Sequence, residues 1–387
     1  MVKVSLVKCD EYRADLLEEA ITKSLDNIGF SPKSFENRHV VLKPNFLMAS
    51  AVEKAIITHP AFFRAVAQVV RDHGGRVVLA ESPAMGSVDR VIKKGGYGPV
   101  LEEMNVAIPG NGQTGVVFNP KQRRFRRFEV LRPILDADLV VNLPKLKTHG
   151  LTTITCATKN LFGAIPGLEK SRWHMKAPGK QAFAELLVDL SEALLFGSSK
   201  PKPILHLVDA VVGQEGNGPG PSGTPRKIGA VLASTNAVAA DCVAADLLGF
   251  DPRSVPSVAT GFERDLGVSS PDEIECIGEE IGRMRLHAVK PARHNVSTAT
   301  YDRWPFNRKR FRNLVTSRPV PQQERCTLCY QCKAICPAGA IEEAEGTRKV
   351  PGYDYEKCIR CYCCMEICPE AAIGLKSGAL EWLWPGG

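Results

Sequence analysis

The chain has 387 residues, 44% of them hydrophobic and 24% charged, with a formal net charge of +8 and thirteen cysteines. That length suits two or three domains rather than one small module, and the composition is that of a globular protein, neither disordered nor collagen-like. No apolar run reaches the length of a membrane span: the longest candidate, Ala230 to Phe250, is interrupted by Asn236, Asp241 and Asp246.

The opening stretch, "MVKVSLVKCD", reads as a strand and lacks the charged start, long apolar core and small-residue cleavage site of a signal peptide. A cytoplasmic, reducing location is therefore expected. "VKVSLVK" is apolar on alternate residues and precedes a helical run from Glu11 to Ile28. "HVVLKPNF" (His39–Phe46) is a short apolar strand. Pro60 to Gly74 is a helix with proline in its first turn and glycine at its end. "RVVLAES" is the next strand, and "DLVVNLPKLKTH", "PILHLVDAVVG" and "KIGAVLAST" read as buried strands. "NAVAADCVAADLLGF" reads as a helix capped by Asn236 or Thr235. Strands that run into polar loops and then helices imply an α/β fold, and in such sheets ligands gather beyond the carboxyl ends of the strands.

Polar residues collect at those ends. Lys43 and Asn45 follow one strand, and Thr58 and His59 precede the next helix. Glu81 and Ser82 follow another strand; Lys145, Lys147, Thr148 and His149 crowd "PKLKTHG"; Lys159 and Asn160 stand in "ATKNLFG". Asp209 ends a further strand, with Glu215 and Asn217 in the glycine-rich stretch beyond it. Lysines and such a loop suit phosphate or carboxylate. His149 and His59 titrate near neutral pH and suit proton transfer. Glu215, Asp209 and Asp241 are candidate ligands for a divalent metal. The candidate catalytic set is thus His149, Lys145, Lys147 and Lys159. The candidate substrate-binding set is Lys43, Asn45, His59, Asn160, Asp209, Glu215 and Asn217.

Other stretches read more plainly. "GNGPGPSGTP" (Gly216–Pro225) lacks a Walker pattern and is expected as a flexible surface loop or a lid. "SRWHMK" (Ser171–Lys176) is expected as a plain loop, with a cover over a pocket as the alternative. Cys156 reads as packing, and Cys9, Cys242 and Cys276 as core.

"LKPN" at Leu42, "THP" at Thr58, "PKLKTH" at Pro144, "KNLFG" at Lys159 and "GQEGNGP" at Gly213 together resemble the domain-of-unknown-function family 362, over most of residues 1–280. The resemblance implies an accompanying two-cluster ferredoxin, which members of the family often carry, and brings no established general reaction.

Between Arg283 and Arg318 there are ten Lys or Arg against one acid, Asp302, so the rest of the chain is near neutral. This segment, with "RWPFNRKRFRN" (Arg303–Asn313), is expected as a solvated linker or as a docking surface for an acidic redox partner or an anionic substrate. No nucleic-acid reading motif accompanies the charge.

Next, "CTLCYQCKAICP" from Cys326 and "CIRCYCCMEICP" from Cys358 both read C-x2-C-x2-C-x3-C-P. A shift of 32 positions lays one on the other and sets Cys363 against Gln331, so Cys363 is the spare cysteine. In this spacing three cysteines wrap one cluster and the fourth reaches the other. Cys326, Cys329, Cys332 and Cys368 are therefore assigned to one 4Fe–4S cluster, and Cys358, Cys361, Cys364 and Cys336 to a second. Zinc also takes four thiolates, but two interleaved copies favour iron–sulfur cubes, and nothing at the N-terminus suggests the export that disulfides accompany. The stretch resembles bacterial two-cluster ferredoxins over roughly residues 320–376. The closing "ALEWLWPGG", with Trp382 and Trp384, reads as a tail packed on a neighbouring surface, with a partner or membrane-surface contact as the alternative.

The expected organisation is an α/β domain over residues 1–280 with a mixed or parallel sheet flanked by helices, a basic linker over 281–318, a small α+β two-cluster ferredoxin-like domain over 319–376 and a tail over 377–387. The expected function is an iron–sulfur oxidoreductase passing single electrons to or from a small anionic substrate. The alternatives are a non-enzymatic electron carrier or assembly factor whose large domain binds a protein, and a metal-dependent transferase or ligase with a redox-sensing ferredoxin. Cys363→Ser is expected to leave iron per chain unchanged and Cys364→Ser to lower it, as iron analysis of anaerobically purified protein would read.

Overall fold

A computed structural model of the chain describes residues 1–109, 112–121, 123–167, 169–198, 201–292, 313–314 and 316–379. The run Arg303–Phe311 and the tail tryptophans Trp382 and Trp384 lie outside these residues, as does most of the expected linker. The strands of the larger part are β1 (Val2–Lys8), β2 (His39–Pro44), β3 (Arg76–Leu79), β4 (Thr114–Phe118), β5 (Arg127–Leu131), β6 (Leu139–Leu143), β7 (Lys145–His149), β8 (Thr153–Thr155), β9 (Ile204–Gly216), β10 (Gly223–Ser234) and β11 (Ile274–Gly278). Nine of them form one sheet in the order β11-β1-β10-β9-β6-β2-β3, with β7 pairing the far half of β9 and β8 pairing β7. The sheet is mixed. β3, β2, β6 and β9 run parallel, so their carboxyl ends share one edge, while β10 is antiparallel to both β9 and β1.

The helices Ala14–Ile28 and Pro60–Asp72 cover one face and Gly179–Phe196 and Ala237–Leu247 the other, because successive strand residues point to opposite sides. The first of these helices begins at Ala14, three residues after the expected Glu11, and stops at Gly29 with φ 69°. Helix Pro60–Asp72 starts where His59 Nδ1 accepts the Ala61 N–H at 3.1 Å, and Ala237–Leu247 starts where Asn236 accepts the Ala239 N–H at 2.9 Å. Among the described residues no helix is long and apolar enough to cross a membrane. Cys9, Cys156 and Cys242 are buried, but Cys276 is exposed. It lies on β11, the edge strand, and not in the core.

The stretch "DLVVNLPKLKTH" is two strands. Pro144 has no N–H to give the ladder, so β6 pairs Val140–Asn142 with Ile204–His206 and stops. β7 resumes further along β9, with Lys145 opposite Asp209 and Lys147 opposite Gln214.

The C-terminal part repeats itself. It contains β12 (Arg318–Pro321), β13 (Ile341–Glu342), β14 (Gly352–Tyr353) and β15 (Ile373–Lys376), with helices Gln331–Ile335 and Cys363–Ile367. β12 pairs with β15 and β13 with β14, so the two copies of the repeat hold each other. Ile335, Cys363 and Ile367 join the core formed by helices Ala14–Ile28 and Pro60–Asp72. The expected loop Gly216–Pro225 is instead a packed turn. Gly216 ends β9, Gly223 opens β10, and residues 218–220 between them are buried. Gly220 lies so close to the Glu366 backbone that a Cβ there would stand 2.0 Å from the carbonyl oxygen.

One carboxylate ties several of these segments together. Asp209, fully buried on β9, accepts from Lys145 Nζ at 2.8 Å, from the Tyr12 hydroxyl at 2.8 Å and from the His59 backbone N–H at 2.9 Å. Tyr12 in turn accepts from Lys145 and from the Val212 N–H, and its ring stacks on the His59 imidazole with centroids 3.6 Å apart. Removing one partner of a buried pair leaves the other charge without compensation. Asp209→Ala is expected to cost about 3–5 kcal/mol of stability, read by anaerobic urea unfolding; a loss under about 1 kcal/mol would contradict this role.

Candidate functional site

A cleft of roughly 720 Å³, its open mouth included, lies beyond the carboxyl ends of β2 and β3. The sheet side contributes Asn45, Glu81, Lys147, Thr155, Lys159 and Asn160. The ferredoxin-like part contributes Ile335, Cys363, Glu366 and Ile367. A third wall is the helix Glu169–Lys176, through Lys170, Ser171 and His174. The stretch expected as the loop "SRWHMK" is therefore helical and faces the site.

Beneath the cleft, Lys43 is fully buried, pairs with Glu81 and donates to the Asn160 carbonyl. Burial pulls the Lys43 amine down and pushes the Glu81 carboxyl up, each held back by the other's charge. Glu81 Oε1 accepts the Ser82 N–H at 3.0 Å. Gly163 presses against this carboxylate: a Cβ there would be 2.1 Å from Oε1. Lys147 Nζ donates to Asn45 Oδ1 at 2.6 Å and to the Ile56 carbonyl at 2.5 Å. Asn45 donates to Asn160 and Asn160 to Asn142, both at 2.8 Å, an amide chain that fixes the cleft's wall.

The cations here are held reluctantly. Burial lowers Lys147 well below the usual lysine range, lowers Lys159, and brings Lys170 to about 7. Lys159 Nζ rests over the Phe162 and Phe183 rings, 4.9 and 5.5 Å from their centroids. Burial pulls His174, stacked on Phe183 with centroids 4.5 Å apart, down to about 3, so it is neutral at ordinary pH. Burial raises the Glu366 carboxyl against the opposing pull of Lys159 and Lys147. Its Oε1 lies 3.6 Å from His149 Nε2, whose Nδ1 accepts the Leu151 N–H at 3.0 Å.

The structure thus brings together only part of the expected set. Asn45, Lys147, Lys159 and Asn160 line the cleft, Lys43 lies beneath it, and His149 reaches it through Glu366. Lys145, His59 and Asp209 are absent from the lining and form the separate network around Tyr12. The irregular register between Lys145 and Lys147 sends the two ammonium groups to different partners. Glu215 instead accepts the Lys290 N–H at 3.2 Å, and Asn217 is half-buried in the turn beside it. Asp241, pushed up to about 6 by burial, accepts the N–H groups of Ala157 at 2.6 Å and Thr158 at 3.2 Å. The three acids expected to share a divalent metal are therefore engaged in three places. Among the described residues no group of three or more His, Cys, Asp or Glu is drawn in for a single ion. Thr155, Lys170, His174 and Glu366 line the cleft as well, outside the expected set. Lys170 and His174 sit in or beside a stretch read as loop, and Glu366 stands among cysteines that dominate its motif.

Two smaller cavities lie in the ferredoxin-like part. One is lined by Cys326, Cys329, Cys332 and Cys368, the other by Cys336, Cys358, Cys361 and Cys364, and Tyr353 borders both. The 32-residue shift recurs in the backbone. Leu328 and Tyr330 (both φ 54°) correspond to Arg360 and Tyr362 (both φ 60°), left-handed residues that wind each loop about its cavity. It recurs again in two N–H···S contacts, Ala340 to Cys336 at 3.3 Å and Ala372 to Cys368 at 3.2 Å. Sets of four thiols round a cavity, with N–H groups aimed at sulfur, fit an iron–sulfur cube.

Comparison with known proteins agrees. The family model described as "Domain of unknown function (DUF362)" matches residues 40–246, and that described as "4Fe-4S dicluster domain" matches residues 318–369. A thylakoid-associated protein of Synechocystis sp. is 36% identical over 263 residues, 67% of this chain and 78% of its own length. Among solved structures, the lactate racemase apoprotein of Thermoanaerobacterium thermosaccharolyticum matches with a TM-score of 0.39 and 12% identity over 63% of this chain and 56% of its own. A structural-genomics protein of Thermotoga maritima matches with a TM-score of 0.34 and 13% identity over 54% and 53%. The chain spans little more than half of both structures, and likenesses this loose say nothing of chemistry. The chain is an iron–sulfur protein that belongs to the DUF362 family and carries a 4Fe–4S dicluster domain.

Proposed function

We propose that the chain carries two 4Fe–4S clusters and exchanges single electrons with a small anionic substrate in the cleft. Cys326, Cys329, Cys332 and Cys368 hold one cluster, and Cys336, Cys358, Cys361 and Cys364 the other. The observation that carries this reading is the cleft's double origin. Lys147 on β7 and Lys159 on the helix Ala157–Asn160 belong to one wall, and Cys363, Glu366 and Ile367, interleaved with cluster cysteines, form the other. When bound, the clusters supply one electron at a time at potentials set by their surroundings. Lys159 and Lys147 offset the charge of the substrate and of each electron that arrives. Glu366, whose raised carboxyl faces the cleft, gives or takes the accompanying proton, and His149 behind it exchanges protons with Glu366. A covalent fusion keeps electron carrier and substrate site at high effective concentration. A reducing compartment such as the cytoplasm suits these thiolate ligands, with a separate redox protein as electron partner.

The test is anaerobic purification with metal analysis and identification of the small molecule that co-purifies. About eight irons per chain are expected; four or none would overturn the two-cluster arrangement. Glu366→Gln is expected to keep that iron and to slow turnover of the co-purified molecule about a hundredfold or more. Unchanged turnover in that variant removes Glu366 and His149 from proton transfer.

A further inference from the structure

Several hydrogen-bond donors around the cleft meet no acceptor among the described residues. Lys159 Nζ lies over aromatic rings and meets no hydrogen-bond acceptor among the described residues. An ammonium has three N–H groups; Lys170 gives one to the Ser82 carbonyl, and Lys147 gives two, to Asn45 and Ile56. The Thr155 hydroxyl is buried on the cleft's wall, its residue 3% exposed, with no hydrogen-bond partner among the described residues. Thr155 stands directly opposite Lys147 across β8 and β7, and Lys159 follows four residues later in the helix Ala157–Asn160. The cleft's carboxylates do not answer these donors: one oxygen of Glu81 takes Lys43 and the other the Ser82 N–H, and Glu366, whose charge acts on Lys159 and Lys147, makes no hydrogen bond to either among the described residues.

Building on the cleft as the substrate site, we infer that the ligand is held by an oxyanion head group, a carboxylate or a phosphate ester. It seats between Lys159 Nζ, the Thr155 hydroxyl and the remaining N–H of Lys147. Several acceptors on one compact, negatively charged group answer several donors at once, which neither a cation nor a single amide does. The aromatic shelf under Lys159 holds its ammonium in place without consuming an N–H. The uncharged remainder of the ligand lies along Phe46 and Leu47 and along Ile335 and Ile367, each of the latter two next to a cysteine of the thiol-lined cavities. Thr155 and Lys159 are thus the residues that select the head group.

Thermal unfolding of the cluster-loaded protein under anaerobic conditions tests this, with phosphate or oxalate compared against chloride at equal ionic strength. At least one oxyanion is expected to raise the midpoint above chloride. A response to phosphate alone assigns a phosphate ester, a response to oxalate alone a carboxylate, and a response to neither overturns the inference. Lys159→Met is expected to abolish the shift. Thr155→Val is expected to weaken binding about tenfold or more, while Thr155→Ser, which keeps the hydroxyl, retains it. A full shift in Lys159→Met, or equal shifts in Thr155→Val and Thr155→Ser, would overturn the assignment. Iron content and the midpoint in chloride check that each variant folds, and if Lys159→Met does not, the two threonine variants decide. The measurement involves no electron, so a failed shift leaves the electron-transfer reading standing, and failed turnover leaves the oxyanion site standing.

Discussion

The Asp209 carboxylate is the point on which the larger part of the fold turns. Three donors from segments far apart in sequence meet on it: Tyr12 before the first helix, His59 at the head of the second and Lys145 at the start of β7. A charge buried this deeply is tolerable only when paired and hydrogen-bonded. The carboxylate therefore fixes where each segment must lie. The break of β6 into β7 at Pro144 follows from the same geometry, since the chain must step forward along β9 to bring Lys145 opposite Asp209. Once that step is made, Lys147 lies two residues on, in reach of Asn45 and on the cleft's wall.

The cleft is an expensive piece of electrostatics. Lys43, Lys147, Lys159 and Lys170 all lose affinity for their protons through burial, and only Lys43 is matched by a tightly paired carboxylate. Concentrating positive charge in a poorly hydrated place destabilises a fold unless something else offsets it. The described structure supplies part of that offset through Glu366, which arrives from the other end of the chain. The two regions are thus electrically complementary where they meet: the sheet brings cations, and the cysteine-rich region brings an acid together with apolar surface.

Much of this was legible in the sequence. Alternating and continuous apolar runs located β1, β2, β9 and β10, and Pro60 and Asn236 marked helix starts, because each is a local rule acting on neighbouring residues. The 32-residue repeat revealed the spare cysteine for the same reason. What escaped depended on distant partners. Nothing local distinguishes Lys145 from Lys147; only the register along β9 sends one to Asp209 and the other to the cleft. The helix Glu169–Lys176 carries few apolar residues, since one face of it lines a polar cleft, so its pattern resembled a loop. Gly220 and its neighbours looked flexible by composition, yet a backbone some 150 residues away requires their lack of side chains. Cys276 looked like core because an edge strand has the same alternation as an inner one.

The helix Cys363–Ile367 has five residues. Cys364 turns to one thiol-lined cavity and Cys368, just past its end, to the other, while Cys363, Glu366 and Ile367 turn to the cleft. So short a helix serves three places at once: the thiols that turn to the two cavities and the acidic and apolar wall shown to the cleft are set by the same turn of backbone.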